Sequence, residues 1–289
     1  MKSFKVKVPA KLNLTLDVVG VNGNYHEIES LVASVNIYDT VSVNKRQDGK
    51  ITLTMKGRPV DCPIIENNAY KTAKLFIDTF GTTGVDITVE KDIPVAGGLG
   101  GSSADIAGVL LALNGLYELN AEIEALANDL GSDANYMLHG GYAVLKGRGE
   151  IVEKSDADRK IYVVLITDDK PVSARNCYKK FDQKKKLYPP VTVDAEKALF
   201  AGDLEELLPM LKNDLGASAS ELAPNVKHNL FNLKKAGAVN AIVAGSGPTV
   251  CGFFYDKKSR DLCYKKLAPI YGKDVLKAET VVPNDGKFM

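Results

Sequence analysis

The stretch Pro94-Val95-Ala96-Gly97-Gly98-Leu99-Gly100-Gly101-Ser102-Ser103-Ala104-Asp105 decides how this chain is read. Four glycines fall in the five residues from Gly97 to Gly101, ahead of two serines. A glycine-rich loop lets backbone N–H groups approach a phosphate closely. A helix start behind it adds unsatisfied donors and a positive dipole end. The apolar run from Ala104 to Leu116 supplies that helix. A plain turn with a serine N-cap needs far fewer glycines, so phosphate binding is the favoured reading. The loop is not a Walker A loop, since no Gly-Lys-Ser/Thr follows. It is not G-x-G-x-x-G either, because Ser103 stands where the third glycine belongs.

Upstream of the loop the pattern is mostly strands. Lys5–Val8, Leu12–Val19, Tyr38–Val43, Ile51–Met55 and Val85–Val89 alternate or run apolar, and Val21 to Asn24 is a turn cluster. A helix is expected from Asn68 to Gly81. Downstream, a helix over 121–129 precedes a strand at Tyr142–Leu145. After about residue 150, Ile161–Ile166 reads as a buried strand, followed by short helices near 173–181, 193–200 and 203–212. Asn225–Lys235 is helical, Val239–Val243 and Val250–Phe254 are strands, Lys257–Leu267 is a helix, and a last strand covers 276–282. Strands and helices interleave without regular βαβ spacing, which favours an α+β fold in two layered domains, 1–155 and 156–289.

The 289 residues fit two domains at about 150 residues each. Lys and Arg number 37 against 36 Asp and Glu, a balance that argues against a nucleic-acid binder held by charge. No run approaches the ~20 apolar residues of a membrane span. Cys62, Cys177, Cys251 and Cys263 form no C-x-x-C, and with only three histidines a zinc site is not expected. Scattered reduced thiols suit a cytoplasmic protein.

Several residues are ambiguous on their own. Ala244-Gly245-Ser246-Gly247-Pro248-Thr249 is either a hairpin turn or a backbone wall for the same site. Lys11 and Asn13 share one face of an extended strand, where a solvent-facing edge strand is the simpler explanation. Tyr25-His26 follows a turn and could line a cleft mouth, but a lone histidine is more often structural. Asp133 lies past Gly131 and reads as a general base or, more simply, a cap on the next helix. Lys179, Lys180 and Lys184 to Lys186 read as a solvated basic loop.

Together, Pro9-Ala-Lys-Leu-Asn-Leu, Pro94 to Asp105, and Ala244-Gly-Ser-Gly-Pro-Thr resemble the three motifs of the GHMP kinases, in order and spacing. Asn24-Tyr-His-Glu, Gly131-Ser-Asp and Asn213-Asp-Leu are similar to the branch that phosphorylates a cytidyl-diphosphate alcohol. The resemblance implies an ATP-dependent kinase. Its N-terminal domain would be like domain 2 of ribosomal protein S5, and its C-terminal domain ferredoxin-like. It implies Lys11 and Asp133 as the catalytic pair. It places Asn68, Pro94, Gly97, Gly98, Leu99, Gly100, Gly101, Ser102 and Ser103 at ATP, with Mg²⁺ through Ser102 or Ser103. Asn13, Tyr25, His26, Tyr178, Gly245, Ser246 and Gly247 would meet the cytidyl substrate, Tyr25 and Tyr178 sandwiching the base. A kinase for another small alcohol, or a non-catalytic ligand-binding member of the fold, is the alternative. The branch usually has Asp-Val-Pro-Phe-Phe where this chain has Asp133-Ala-Asn-Tyr-Met137, which predicts a looser backbone after Asp133.

Overall fold

The computed structural model describes residues 2–23, 25–184 and 188–281. Asn24, Lys185, Lys186 and Val282, which figure in the sequence reading, lie outside them. The first half holds β1 (Ser3–Asn13), β2 (Asp17–Asn22), β3 (Tyr25–Lys45), β4 (Ile51–Gly57), α1 (Asn68–Phe80), β5 (Val85–Lys91), α2 (Gly101–Tyr117), α3 (Glu124–Leu130), α4 (Ala134–His139), β6 (Tyr142–Lys146) and β7 (Ile151–Ser155). Its seven strands run in the order β4-β5-β3-β6-β7, with β1 and β2 also paired to β3. Only the β4–β5 pairing in this sheet is parallel.

Helix α2 packs on β1 and β3, and α1 packs on α2. The α2 run Ala104–Leu113 is nearly all buried, which explains its apolar sequence. Helix α1 starts on Asn67, whose side chain accepts from the Ala69 amide at 2.9 Å, and stops at Gly81 in the left-handed region, φ 62°.

The second half holds β8 (Tyr162–Ile166), α5 (Ala174–Asp182), α6 (Thr192–Ala201), α7 (Leu204–Met210), α8 (Gly216–Leu222), α9 (Pro224–Ala236), β9 (Asn240–Val243), β10 (Val250–Phe254), α10 (Lys257–Tyr271) and β11 (Val275–Glu279). The sheet order β11-β8-β10-β9, with every pairing antiparallel, is the split-βαβ arrangement of a ferredoxin-like unit. Helices α9 and α10 cover it. The α+β reading is correct.

Three expectations need correction. Leu12–Val19 is not one strand: the chain turns at Leu14–Leu16, where Leu14 and Thr15 both donate to the Leu31 carbonyl, at 2.8 and 3.2 Å. Tyr38–Val43 is only part of a 21-residue strand, which starts at Tyr25 directly after the turn that the sequence marks. The segment after Asp133 is not loose. It forms α4, with Ala134, Tyr136, Met137 and Leu138 buried. The Tyr136 hydroxyl sits 2.7 Å from the Gly141 carbonyl, replacing a proline's stiffness with a buried hydrogen bond.

Candidate active site

The loop 94–101 ends in backbone that only glycine adopts cheaply. Gly98 and Gly100 lie at φ 80° and 76°. A Cβ on Gly98 would stand 2.0 Å from the Ala244 carbonyl, and one on Gly100 would stand 2.2 Å from the Met137 methyl. Both glycines are therefore required by close approach, and the first glycine motif packs directly on the second. Gly100, not Ser102, is the N-cap of α2, and no side chain caps that helix. Its first-turn amides are left for an external acceptor.

A cavity of about 190 Å³ opens beside this helix start, lined by Cys62, Asn67, Asn68, Val95, Ser102 and Asp105 among others. Asn68 Nδ2 donates to Ser102 Oγ at 2.5 Å, tying α1 to α2 at the cavity floor. Pro94, Gly97, Leu99 and Ser103 lie on or beside the same loop. Leu99 is buried, and its carbonyl accepts from the Lys11 amide at 3.0 Å. The Thr249 hydroxyl is fully buried without a partner, 2.6 Å from where a Cβ on Gly97 would lie.

Lys11 is buried at the end of β1, not turned to solvent. Its Nζ lies 3.2 Å from Asp133 Oδ2, the two side chains 7% and 28% exposed. The Asp133 side chain makes no capping bond to α4, so its carboxylate faces the lysine instead. Asn13, expected to face substrate, is 3% exposed with both polar ends engaged inside the protein. Its Oδ1 accepts from Lys11 Nζ at 2.7 Å, and its Nδ2 donates to Ser30 Oγ at 2.7 Å.

The loop 244–249 is a β9–β10 hairpin connection that packs against the glycine loop at Gly98. Asn213 holds it, Nδ2 donating to the Val243 and Gly245 carbonyls at 2.8 and 2.7 Å. Gly245 meets Gly98, and Ser246 reaches toward the Val172 carbonyl at 3.5 Å. Gly247 precedes a cis Pro248.

The aromatic group is arranged differently from the expected sandwich. His26 stacks on Tyr178, with centroids 4.6 Å apart and planes 20° apart. His26 Nε2 lies 2.6 Å from Asp182 Oδ1. Tyr25, 58% exposed, sits under the Arg148 guanidinium at 4.9 Å instead of facing Tyr178. Adjacent strand residues point to opposite faces, and here the His26 ring, not the Tyr25 ring, lies against Tyr178. Tyr25 and His26 do line one shallow pocket with Arg148 and Glu150. Burial and the nearby Asp133 charge push the Tyr178 phenol up. Of the basic cluster, Lys180 and Lys184 pair with Glu221 at 3.0 and 2.7 Å.

Two buried charge clusters escaped the sequence reading. Lys91 Nζ contacts Asp39 Oδ2, both oxygens of Asp105 at 2.9 Å, and the Gly101 carbonyl at 3.1 Å. Two carboxylates share one ammonium, and burial pushes Asp105 up to about 6. Desolvation likewise raises Asp39. In the second cluster, Asp17 Oδ2 accepts from the Val191 and Thr192 amides at 2.8 and 2.9 Å, and Asp17 Oδ1 forms an ion pair with Lys212 Nζ at 2.6 Å. An aspartate inside the apolar α2 run was the available signal for the first cluster, since a buried carboxylate demands a partner.

Comparison with known proteins agrees with this architecture. The family models for the N-terminal domain and the C-terminal part of GHMP kinases match residues 67–144 and 195–274. The 4-diphosphocytidyl-2-C-methyl-D-erythritol kinase of Clostridium tetani is 35% identical over 276 residues, covering 93% of this chain and 98% of its own. The chain belongs to the 4-diphosphocytidyl-2-C-methyl-D-erythritol kinase family of GHMP kinases. The Cutibacterium acnes member is 37% identical to this kinase over 262 residues, 86% of this chain and 84% of its own. A crystal structure of 4-(cytidine 5'-diphospho)-2C-methyl-D-erythritol kinase superposes with TM-score 0.81 at 29% identity, covering 95% of this kinase and 98% of that chain. The homoserine kinase of Cytophaga hutchinsonii, at TM-score 0.74 and 18% identity over 98% and 95% of the two chains, shares the fold. No helix among the described residues is long and apolar enough to cross a membrane.

Proposed function

We propose that this kinase transfers the γ-phosphoryl group of ATP to the 2-hydroxyl of 4-diphosphocytidyl-2-C-methyl-D-erythritol. The step belongs to the non-mevalonate route to isoprenoid precursors and takes place in the cytoplasm. The observation that carries the reading is the Lys11–Asp133 pair, 3.2 Å apart beside the glycine loop, with the lysine buried and the carboxylate partly open to solvent.

Phosphoryl transfer is mostly positioning and charge neutralisation, with one group to take the alcohol proton. Asp133 is that group. Lys11 offers positive charge to the transferring phosphoryl oxygens. The uncapped amides at Gly101–Ser103 hold the ATP phosphates, and the α1–α2 cavity holds the rest of the nucleotide. Residues 1–155 supply this machinery, and residues 156–289 close it through the 244–249 loop. The change of sheet between β7, ending at Ser155, and β8, starting at Tyr162, supports that division.

The site also suits Mg²⁺. Among the described residues no group of three or more His, Cys, Asp or Glu could hold a metal. Mg²⁺ needs no such cage, because it keeps waters and binds largely through substrate phosphates. The hydroxyls of Ser102 or Ser103 would complete its shell, and the ion supplies charge neutralisation between phosphates.

The cytosine ring is placed on the Tyr25 face now covered by Arg148, with His26 offering its edge and Tyr178 supporting His26. An ADP-release assay with the cytidyl alcohol beside mevalonate, homoserine and galactose tests the assignment. Turnover on the cytidyl alcohol alone is expected. Turnover on another alcohol only would discard the cytidyl reading and keep the kinase.

A further inference from the structure

A line of buried hydrogen bonds runs inward from Lys11. Lys11 Nζ donates to Asn13 Oδ1 at 2.7 Å, Asn13 Nδ2 donates to Ser30 Oγ at 2.7 Å, and Ser30 Oγ donates to the Thr15 carbonyl at 2.5 Å. Asn13, Thr15 and Ser30 are all essentially buried, so water cannot substitute for a missing partner. The Thr15 carbonyl is itself anchored. Leu31 N donates to Thr15 Oγ1 at 2.9 Å, and the Leu14 and Thr15 amides both donate to the Leu31 carbonyl. Beyond it, Thr15 Oγ1 meets Thr192 Oγ1 at 2.7 Å at the start of α6.

The direction of this line follows from counting protons. A serine hydroxyl has one proton, and Ser30 has committed it to a carbonyl that can only accept. Toward Asn13, Ser30 can therefore only accept, so the Asn13 amide must turn its nitrogen to Ser30 and its oxygen to Lys11. The opposite orientation would put two N–H donors against the Lys11 ammonium.

We infer that Ser30 is a positioning residue for phosphoryl transfer: it fixes the orientation of the Asn13 amide and so holds the Lys11 ammonium at Asp133. Ser30 touches neither substrate nor Asp133. Asn13 is then the intermediary of that effect, rather than a direct substrate contact. The inference rests on the Lys11–Asp133 reading given above.

A double-mutant cycle tests it. Ser30→Ala in the Asn13 background frees the amide to flip, and kcat falls on the order of tenfold while the KM for ATP stays put. In the Asn13→Asp background the side chain has only acceptors and no orientation to lose. Whatever Asn13→Asp costs by itself cancels in the cycle, and Ser30→Ala then changes kcat less than about twofold. Equal losses in both backgrounds, or a loss carried by the KM for ATP, would overturn the inference. Should Ser30→Ala fail to fold, Ser30→Cys, whose thiol is a weak donor, replaces it in both backgrounds with the same expected inequality. Asp133→Asn is assayed alongside. Near-normal turnover of Asp133→Asn removes the catalytic pair itself. Its loss, with Ser30 changes silent, removes only the Ser30 inference.

Discussion

Two lysines reach carboxylates on opposite sides of the same glycine loop, and their surroundings differ. Lys91 is 3% exposed and holds Asp39 and Asp105, themselves nearly inaccessible. Lys11 is almost as buried, but its partner Asp133 keeps 28% of its side chain open. Lys91 also donates to the Gly101 carbonyl, so it fastens the first residue of α2 to the sheet. Asp39 is sealed off and Asp105 shows only an edge to the cavity beside α2, whereas Asp133 keeps an open face. On the proposed mechanism the same pair of residue types serves as a fastener in one place and as reactive chemistry in the other, and access to solvent separates the roles.

That contrast is broken most severely at Asp133. Asp133→Asn should lower kcat by roughly 10²–10⁴, the usual share of a general base, while thermal stability and nucleotide binding persist. Steady-state kinetics beside a melting curve checks it, and a variant with near-wild-type turnover would remove Asp133 from the mechanism.

Lys91→Met should do the reverse. Leaving two carboxylates buried without a counterion costs about 3–5 kcal/mol of folding stability, read by denaturant titration at neutral pH. If melting is unchanged while turnover is lost, Lys91 belongs with the reactive pair instead.

A smaller effect is expected away from both lysines. Tyr25→Ala should raise the KM for the cytidyl alcohol by the equivalent of about 1–3 kcal/mol, by analogy with stacked bases. It should leave kcat and the KM for ATP in place. An unchanged KM would show that the base lies elsewhere.

The subtlest test is the pH dependence of the fastener. Burial raises Asp105 from 3.8 to about 6 in the folded protein, so the native state holds its proton more tightly than the unfolded chain. Its contribution is fully present below about pH 4 and is lost as pH rises through 6. Melting curves of the wild type against Asp105→Asn across this window should show the wild-type advantage falling with pH. An advantage that grows with pH would mean that the Lys91 charge outweighs burial.

How far the sequence spoke depended on how local each feature was. The glycine loop was legible because a phosphate cradle needs contiguous backbone, and helix α1 because Asn67 and Gly81 mark its ends. Strand β3 was legible only at Tyr38–Val43. Both of its faces are partly buried, and Ser30, Ser34 and Asp39 are fully buried with partners, so polar letters interrupt the period-two pattern that reveals a strand. Helix α4 is only six residues long, too short for helical spacing to emerge. Lys11 and Asp133 looked like an edge residue and a cap because nothing nearby in the chain shows that they meet. The family motifs named them, and the fold supplies their distance. The Lys91 cluster joins three separate elements, β3, β5 and α2, and only folding brings them together.

Strand β3 also works as a ruler. It carries His26 near its first residue, Ser30 a few residues on, and Asp39 toward its far end, all on one strand whose pairing with β1 shifts register between Val35 and Tyr38. Side-chain direction alternates along a strand, so inserting a single residue between Ser30 and Asp39 would turn one of them out of the core. The spacing between the aromatic pocket, the lysine line and the loop fastener is thus inherited as one fixed length. A change of length in a surface loop leaves that spacing intact, whereas a one-residue change within the paired stretches of β3 does not.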